Sequence, residues 1–334
     1  MNLQGSIVRG EFDSKLLRKN LAGESAIRPL TVYVPEAAKS EPGQRFPVLY
    51  YLPAWLNAGR SVADWQPFKE SVAHRIDRLI SEGKLNPCVV VAVDLYTSFG
   101  GSQYVNSSYF GPHADHIVQE LFPYIEKNFP VLTGAQHRGI FGKSSGGFGA
   151  LRLAMDFPNQ MNSVLSLSGD VGFELLVTGN LVDLPNHLVK YDKNPLKYLN
   201  FVKSASKLTG KDLHILMLLG NAGFYSPDSS SAVGFSLPID LYSGEISKSV
   251  MKQWYDHDPL FRAESAADNL KKLKYFRIEC GTRDQYNLLY GSRQLHKRLD
   301  ELKVNHVYQE FEDDHSGIDY RYDVALPEFV NSLS

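Results

Sequence analysis

The residues most able to do chemistry stand together at Gly142-Lys143-Ser144-Ser145-Gly146, a G-x-S-x-G pentapeptide. Gly147 and Gly149 follow, and then an apolar-periodic run, Ala150-Leu151-Arg152-Leu153-Ala154-Met155. A strand that delivers a serine into a sharp turn, with a helix leaving it, is a nucleophile elbow. Glycines are needed there because the serine backbone is strained and the chain crowds itself on both sides. The pentapeptide alone also fits a glycine-rich turn that cradles phosphate. The phosphate-loop frame G-x-x-x-x-G-K-[ST] is not met, since His137 stands where its first glycine belongs. Ser145 fits the elbow frame less well than Ser144, because Lys143 lies two residues before it. The chemistry that Ser144 offers is acyl transfer.

A serine hydroxyl needs a base to take its proton and an acid to orient that base. In α/β-hydrolase order both follow the serine, acid first, at the ends of later strands. Asp284 fits the acid, in the turn Gly281-Thr282-Arg283-Asp284 just past a strand-like stretch. Asp170 is its rival, reached through Ser168-Gly169. His315 fits the base, in Asp313-Asp314-His315-Ser316-Gly317 after the last strand-like stretch. Asp313 and Asp314 are also near enough in sequence to orient it, although adjacent residues reach an imidazole poorly. The oxyanion hole needs two backbone N–H groups. One falls to Ser145, and the other to Ala54 or Trp55, since Pro53 has no N–H.

These loops require a sheet to carry them. Residues 28–35, 46–52, 87–94, 137–141, 163–167, 275–280 and 307–311 read as strands. The segment 87–94 is apolar on both faces, as a buried parallel strand must be. Helical stripes run through Phe68, Val72, Ile76, Leu79 and Ile80, then Ile117, Leu121 and Ile125, then Leu288, Leu295, Leu299 and Leu302. Pro123 marks a kink or break in the second. The alternation predicts an α/β fold with a mostly parallel sheet flanked by helices, in a single domain over 1–334. Only 171–273 departs from it, which predicts a partly helical cap inserted over the site.

The chain has 334 residues, 43% hydrophobic and 22% charged, with a formal net charge of −2. That balance gives no electrostatic case for nucleic acid or for an anionic membrane. The N-terminal residues carry no apolar signal core, and no run is long enough to span a bilayer, so a cytoplasmic protein is expected. Cys88 and Cys280 read as small buried residues, not a disulfide. No HExxH, CxxC or close His/Asp set appears, so no metal site is expected.

The elbow Gly142-Lys-Ser144-Ser-Gly-Gly147 resembles that of the "putative esterase" family of α/β-hydrolases, which includes esterase D, enterochelin esterase, feruloyl esterase and antigen 85 types. Gly101-Ser-Gln-Tyr104, Glu120-Leu-Phe-Pro-Tyr124, and the pairing of Gly281-Thr-Arg-Asp284 with His315-Ser-Gly carry the likeness further. The resemblance implies an α/β-hydrolase fold, no cofactor, and Ser144, Asp284 and His315 as nucleophile, acid and base. It implies Ser145 and Trp55 as oxyanion donors, although Pro53-Ala54 replaces the usual His-Gly or Asp-Gly. A serine carboxylesterase acting on a small-molecule ester is the expectation. An acyltransferase of antigen 85 type and a non-catalytic binder on the same scaffold are the alternatives. Trp55, Tyr109, Phe173, Phe224, Tyr225 and Trp254 are candidates to line an acyl or aromatic pocket. Lys143, next to the nucleophile, reads either as a surface lysine or as a cation that favours an oxyanion or an anionic substrate.

Overall fold

The computed structural model describes residues 3–333. Its main sheet has eight strands in the order β1-β2-β4-β3-β7-β8-β9-β10. They are β1 (Ser6–Asp13), β2 (Ile27–Val34), β3 (Val48–Leu52), β4 (Val89–Val93), β7 (Arg138–Lys143), β8 (Ser163–Leu167), β9 (Tyr275–Gly281) and β10 (Val307–Phe311). A two-stranded hairpin, β5 (Asn106–Ser107) with β6 (Gly111–Pro112), stands apart. β1 and β2 are antiparallel to their neighbours, and β3, β4, β7, β8, β9 and β10 run parallel.

The central parallel strands β3 and β4 are apolar throughout because both faces are covered. Val48, Tyr50, Leu52, Val89, Val91 and Val93 face one core. Leu49, Tyr51, Val90 and Ala92 face the other. The expected strands are all present, most with ends shifted by a residue or two. The edge strand β1 was not foreseen. Most of its side chains are exposed, so burial leaves little trace in its sequence.

Two helical expectations need correction. Phe68 is fully exposed, lies before the Val72–Ser81 helix and has φ +59°, so it is not part of that apolar face. Pro123 neither breaks nor ends its helix. It sits in the first turn of the Phe122–Asn128 segment, after a π-helical stretch at His116–Leu121. A residue without an N–H is tolerated where the hydrogen-bond register is already changing. Both cysteines are free and buried, and burial pushes both thiols up to about 12.

The 171–273 region is helical, and most of it gathers its own apolar cluster, with Phe173, Leu184, Tyr198, Leu219 and Trp254 buried in it. Its last helix, Pro259–Leu270, behaves differently. Ala263, Ala266, Ala267 and Leu270 join the main core, so this helix is the crossover between β8 and β9. Asp258 fastens the two parts. Its carboxylate accepts from the N–H groups of Gly172 (3.1 Å), Phe173 (2.6 Å) and Leu260 (2.9 Å).

Candidate active site

Ser144 stands between β7 and the Ser145–Asp156 helix with φ +56° and ψ −126°. This backbone region is sparsely populated, at a cost of about 1–3 kcal/mol, and persists only where packing enforces it. The enforcement comes from the glycines. A Cβ on Gly142 would lie 2.6 Å from the Leu52 carbonyl oxygen, and one on Gly146 would overlap that same oxygen. The start of the helix is thereby pressed onto the end of β3, and the loop after β3 comes alongside the serine. The Ser144 N–H donates to Leu167 O (3.1 Å), fixing the turn to β8 as well.

Asp284 and His315 arrive from the ends of β9 and β10. Backbone bonds stitch their loops together: Thr282 N–H to Phe311 O (2.8 Å) and Arg283 N–H to Asp313 O (2.9 Å). His315 Nδ1 lies 2.7 Å from Asp284 Oδ2. The Asp284 side chain is wholly buried, and its other oxygen accepts from the Tyr286 N–H (2.9 Å). An Nδ1–H donated to the carboxylate leaves Nε2 as the basic nitrogen. Asp313 and Asp314 do not compete for the ring. Asp313 accepts from Asp314 N–H and Tyr320 Oη, and Asp314 accepts from Ser316 N–H.

Ser145 is the first residue of its helix, so its N–H has no partner inside the helix. In the loop after β3, Leu56 N–H is committed to Gly100 O and Asn57 N–H to Ala54 O. The N–H groups of Ala54 and Trp55 have no acceptor among the described residues. Tyr104 holds this loop by donating its hydroxyl to Pro53 O (2.6 Å). The Trp55 indole lies against Gly100, Gly101 and Gly220, where any Cβ would reach the ring or its backbone within about 3 Å.

Ser144, Ser145, His315 and Trp55 border one cavity of about 310 Å³, beside Lys143 and Asp170. Its apolar wall is Leu176, Val177, Met217, Leu218 and Leu288. Its polar wall includes Gln103 and Asn221. A larger hollow of about 970 Å³ opens around Asp192, Asp228 and Asp240, but neither Ser144 nor His315 borders it.

Of the aromatic residues expected to line the pocket, only Trp55 does so. Tyr109, Phe173, Phe224, Tyr225 and Trp254 are buried in the apolar cluster of the 171–273 region and its surroundings. A segment of that size outside the sheet needs a core of its own, and the large aromatics supply it. Met217, Leu218 and Asn221 were missed. They lie on the Gly210–Tyr225 helix, where Asn221 is a buried amide in an apolar run and was the available signal. His214, on the same helix, also borders the cavity, and burial lowers its pKa.

The family model described as "Putative esterase" matches residues 26–328. The chain belongs to this family. An endo-1,4-beta-xylanase/feruloyl esterase of Xylanibacter ruminicola is 29% identical over 129 residues, 38% of this chain and 17% of that protein. The match thus spans about a sixth of the relative's length. A solved ferulic acid esterase aligns with TM-score 0.63 and 18% identity over 99% of this chain and 100% of that one. An S-formylglutathione hydrolase from Agrobacterium tumefaciens gives 0.60 and 17% over 100% and 98%. Likeness at these identities is one of fold, and the fold is that of the α/β-hydrolases. Among the described residues no helix is long and apolar enough to cross a membrane.

Proposed function

We propose that the protein is a serine carboxylesterase that works through an acyl-enzyme on Ser144. The observation that carries the reading is the His315 Nδ1–Asp284 Oδ2 contact of 2.7 Å at the cavity that the strained Ser144 also borders. Ser144 Oγ attacks the ester carbonyl while His315 Nε2 takes its proton. The imidazolium that forms is stabilised by the buried Asp284 carboxylate. Negative charge on the carbonyl oxygen is met by the N–H groups of Ser145 and Trp55. His315 then returns the proton to the departing alkoxide, and the alcohol leaves. Water, activated by the same histidine, releases the carboxylic acid and regenerates Ser144.

A cavity of about 310 Å³ with an apolar wall suits a small acyl or aromatic group. The feruloyl esterases among the relatives favour an aromatic acyl group, and the relatives' esterase and hydrolase names favour water over an alcohol as the final acceptor. The 171–273 region acts as a cap whose Gly210–Tyr225 helix sets acyl specificity. The test is a series of 4-nitrophenyl esters of rising acyl length together with methyl ferulate. A maximum at one chain length, or at ferulate, is expected. Flat activity across the series would exclude a defined acyl pocket.

A further inference from the structure

Asp170 is a carboxylate at the active site for which the proposed mechanism has no use. It follows β8 through Ser168, at φ +43°, and Gly169. A Cβ on Gly147 would lie 2.9 Å from Gly169 Cα, so this loop rides against the first turn of the elbow helix. Asp170 therefore borders the cavity beside Ser144 and His315. Asp284, not Asp170, holds the imidazole.

Asp258 accepts three backbone N–H bonds and Asp284 holds a histidine. Asp170 has instead the side chains of Gln103 and Ser144 within hydrogen-bonding reach. Burial raises its pKa to about 6, against the influence of His315 and with that of Asp284. Keeping the charge there costs folding energy, and such costs gather at functional sites.

Gln103 supplies a second, independent observation. It is almost fully buried, and its Nε2 donates to Asn221 Oδ1 (2.9 Å). That orientation leaves Gln103 Oε1 buried with no donor. Gln103 Oε1 thus has no donor, and the Asp170 carboxylate keeps acceptor capacity beyond the two side chains near it. A buried acceptor left unpaired is costly, so a ligand that brings a donor is favoured over one that does not.

We propose that Asp170, with Gln103 held in orientation by Asn221, determines specificity by accepting a hydrogen bond from a hydroxyl or ammonium group carried by the substrate one or two bonds from the scissile ester. The proposal rests on Ser144 as the nucleophile. It identifies the substrate class as esters of hydroxy acids or amino acids, or monoesters of polyols and sugars. Plain alkyl esters leave Gln103 Oε1 unpaired and the spare capacity of the carboxylate unused, and an anionic group at that place is repelled by the carboxylate. The shared chemistry is a donor near the ester, and the two sources of it are separable by experiment.

The experiment compares kcat/KM for matched pairs. Ethyl lactate against ethyl propionate reads a donor on the acyl side, and 2-hydroxyethyl propionate against propyl propionate reads one on the alcohol side. The wild-type protein is expected to favour the donor-bearing member by about ten- to a hundredfold in one pair, as one hydrogen bond to a charged acceptor implies. Asp170→Asn is expected to bring that ratio to within threefold of unity. A ratio near one in both pairs of the wild type overturns the proposal. So does an Asp170→Asn variant that is slowed equally on both members and keeps the ratio, as a purely structural residue would be. Fluorophosphonate labelling of Ser144 in the wild type separates the two readings. With labelling present and the ratios flat, only the role of Asp170 fails. With labelling absent, the nucleophile assignment fails and this proposal falls with it.

Discussion

Replacing Asp284 by asparagine changes one atom in the proposed site, and the structure dictates what that atom does. Asp284 Oδ1 accepts from the Tyr286 N–H at 2.9 Å, so the amide must keep its oxygen there. Its NH2 group then falls at the Oδ2 position, 2.7 Å from His315 Nδ1. Two N–H groups cannot share that contact, and the ring must turn to the tautomer with Nδ1 bare and Nε2 protonated. The base that should face Ser144 then carries a proton it cannot use. The geometry is retained and the chemistry is lost, which predicts a fall in kcat of about 10^4-fold. At 1.36 kcal/mol for each factor of ten this is about 5 kcal/mol of transition-state stabilisation. The assay is stopped-flow hydrolysis of 4-nitrophenyl acetate, with near-UV circular dichroism to verify that Asp284→Asn is folded. A loss below tenfold in a folded variant would refute Asp284 as the orienting acid.

Further outcomes follow from single contacts. Tyr104→Phe removes the hydroxyl that holds Pro53 O, so the loop carrying Trp55 loosens, and kcat/KM should fall by about 3- to 30-fold, checked by steady-state kinetics. Gly220→Ala sets a Cβ 2.7 Å from the Trp55 ring. It should reduce esterase activity even though alanine favours a helix by about 1 kcal/mol, and unchanged kinetics would mean that the indole's seat is immaterial. Asp258→Ala leaves three backbone N–H groups without their acceptor and should lower unfolding free energy by about 2–4 kcal/mol in urea. Asp170→Asn should do the opposite at neutral pH. The folded pKa of Asp170 is raised from 3.8 to about 6, so the native state binds the extra proton between these values, and stability falls as pH rises through them. The variant escapes that cost. It should be more stable than the wild type at pH 8 by at most about 3 kcal/mol, with the gain gone near pH 4. A gain independent of pH would show that charge burial is not its source.

The residues with catalytic potential were legible because a parallel sheet imposes order on them. Ser144, Asp284 and His315 each follow a segment that reads as a strand, and strand ends on one edge of a parallel sheet lie side by side. The rivalry of Asp170 with Asp284 was not decidable from sequence, since both follow strands. It turns on which carboxylate reaches His315 Nδ1, a contact set by the stitching of the Asp284 loop to the His315 loop. The pocket wall was read wrongly for a physical reason. Tyr109, Phe173, Tyr225 and Trp254 occur in or beside an irregular region near a site, where aromatic residues suggest a ligand. That region closes on itself, and they fill its interior. Met217, Leu218 and Asn221 border the cavity from a helix that is buried on most sides, where periodicity does not tell the face toward a cavity from the face toward a core. The edge strand β1 has too little burial to leave a pattern.

The central claim is that the strained serine of the elbow is the nucleophile. A fluorophosphonate probe tests it most directly, with the adduct located by peptide mass spectrometry in the wild-type protein and in Ser144→Ala. The account predicts one adduct, on Ser144, and none in the variant. An unlabelled wild type, or an adduct on Ser145 or elsewhere that survives Ser144→Ala, would contradict it.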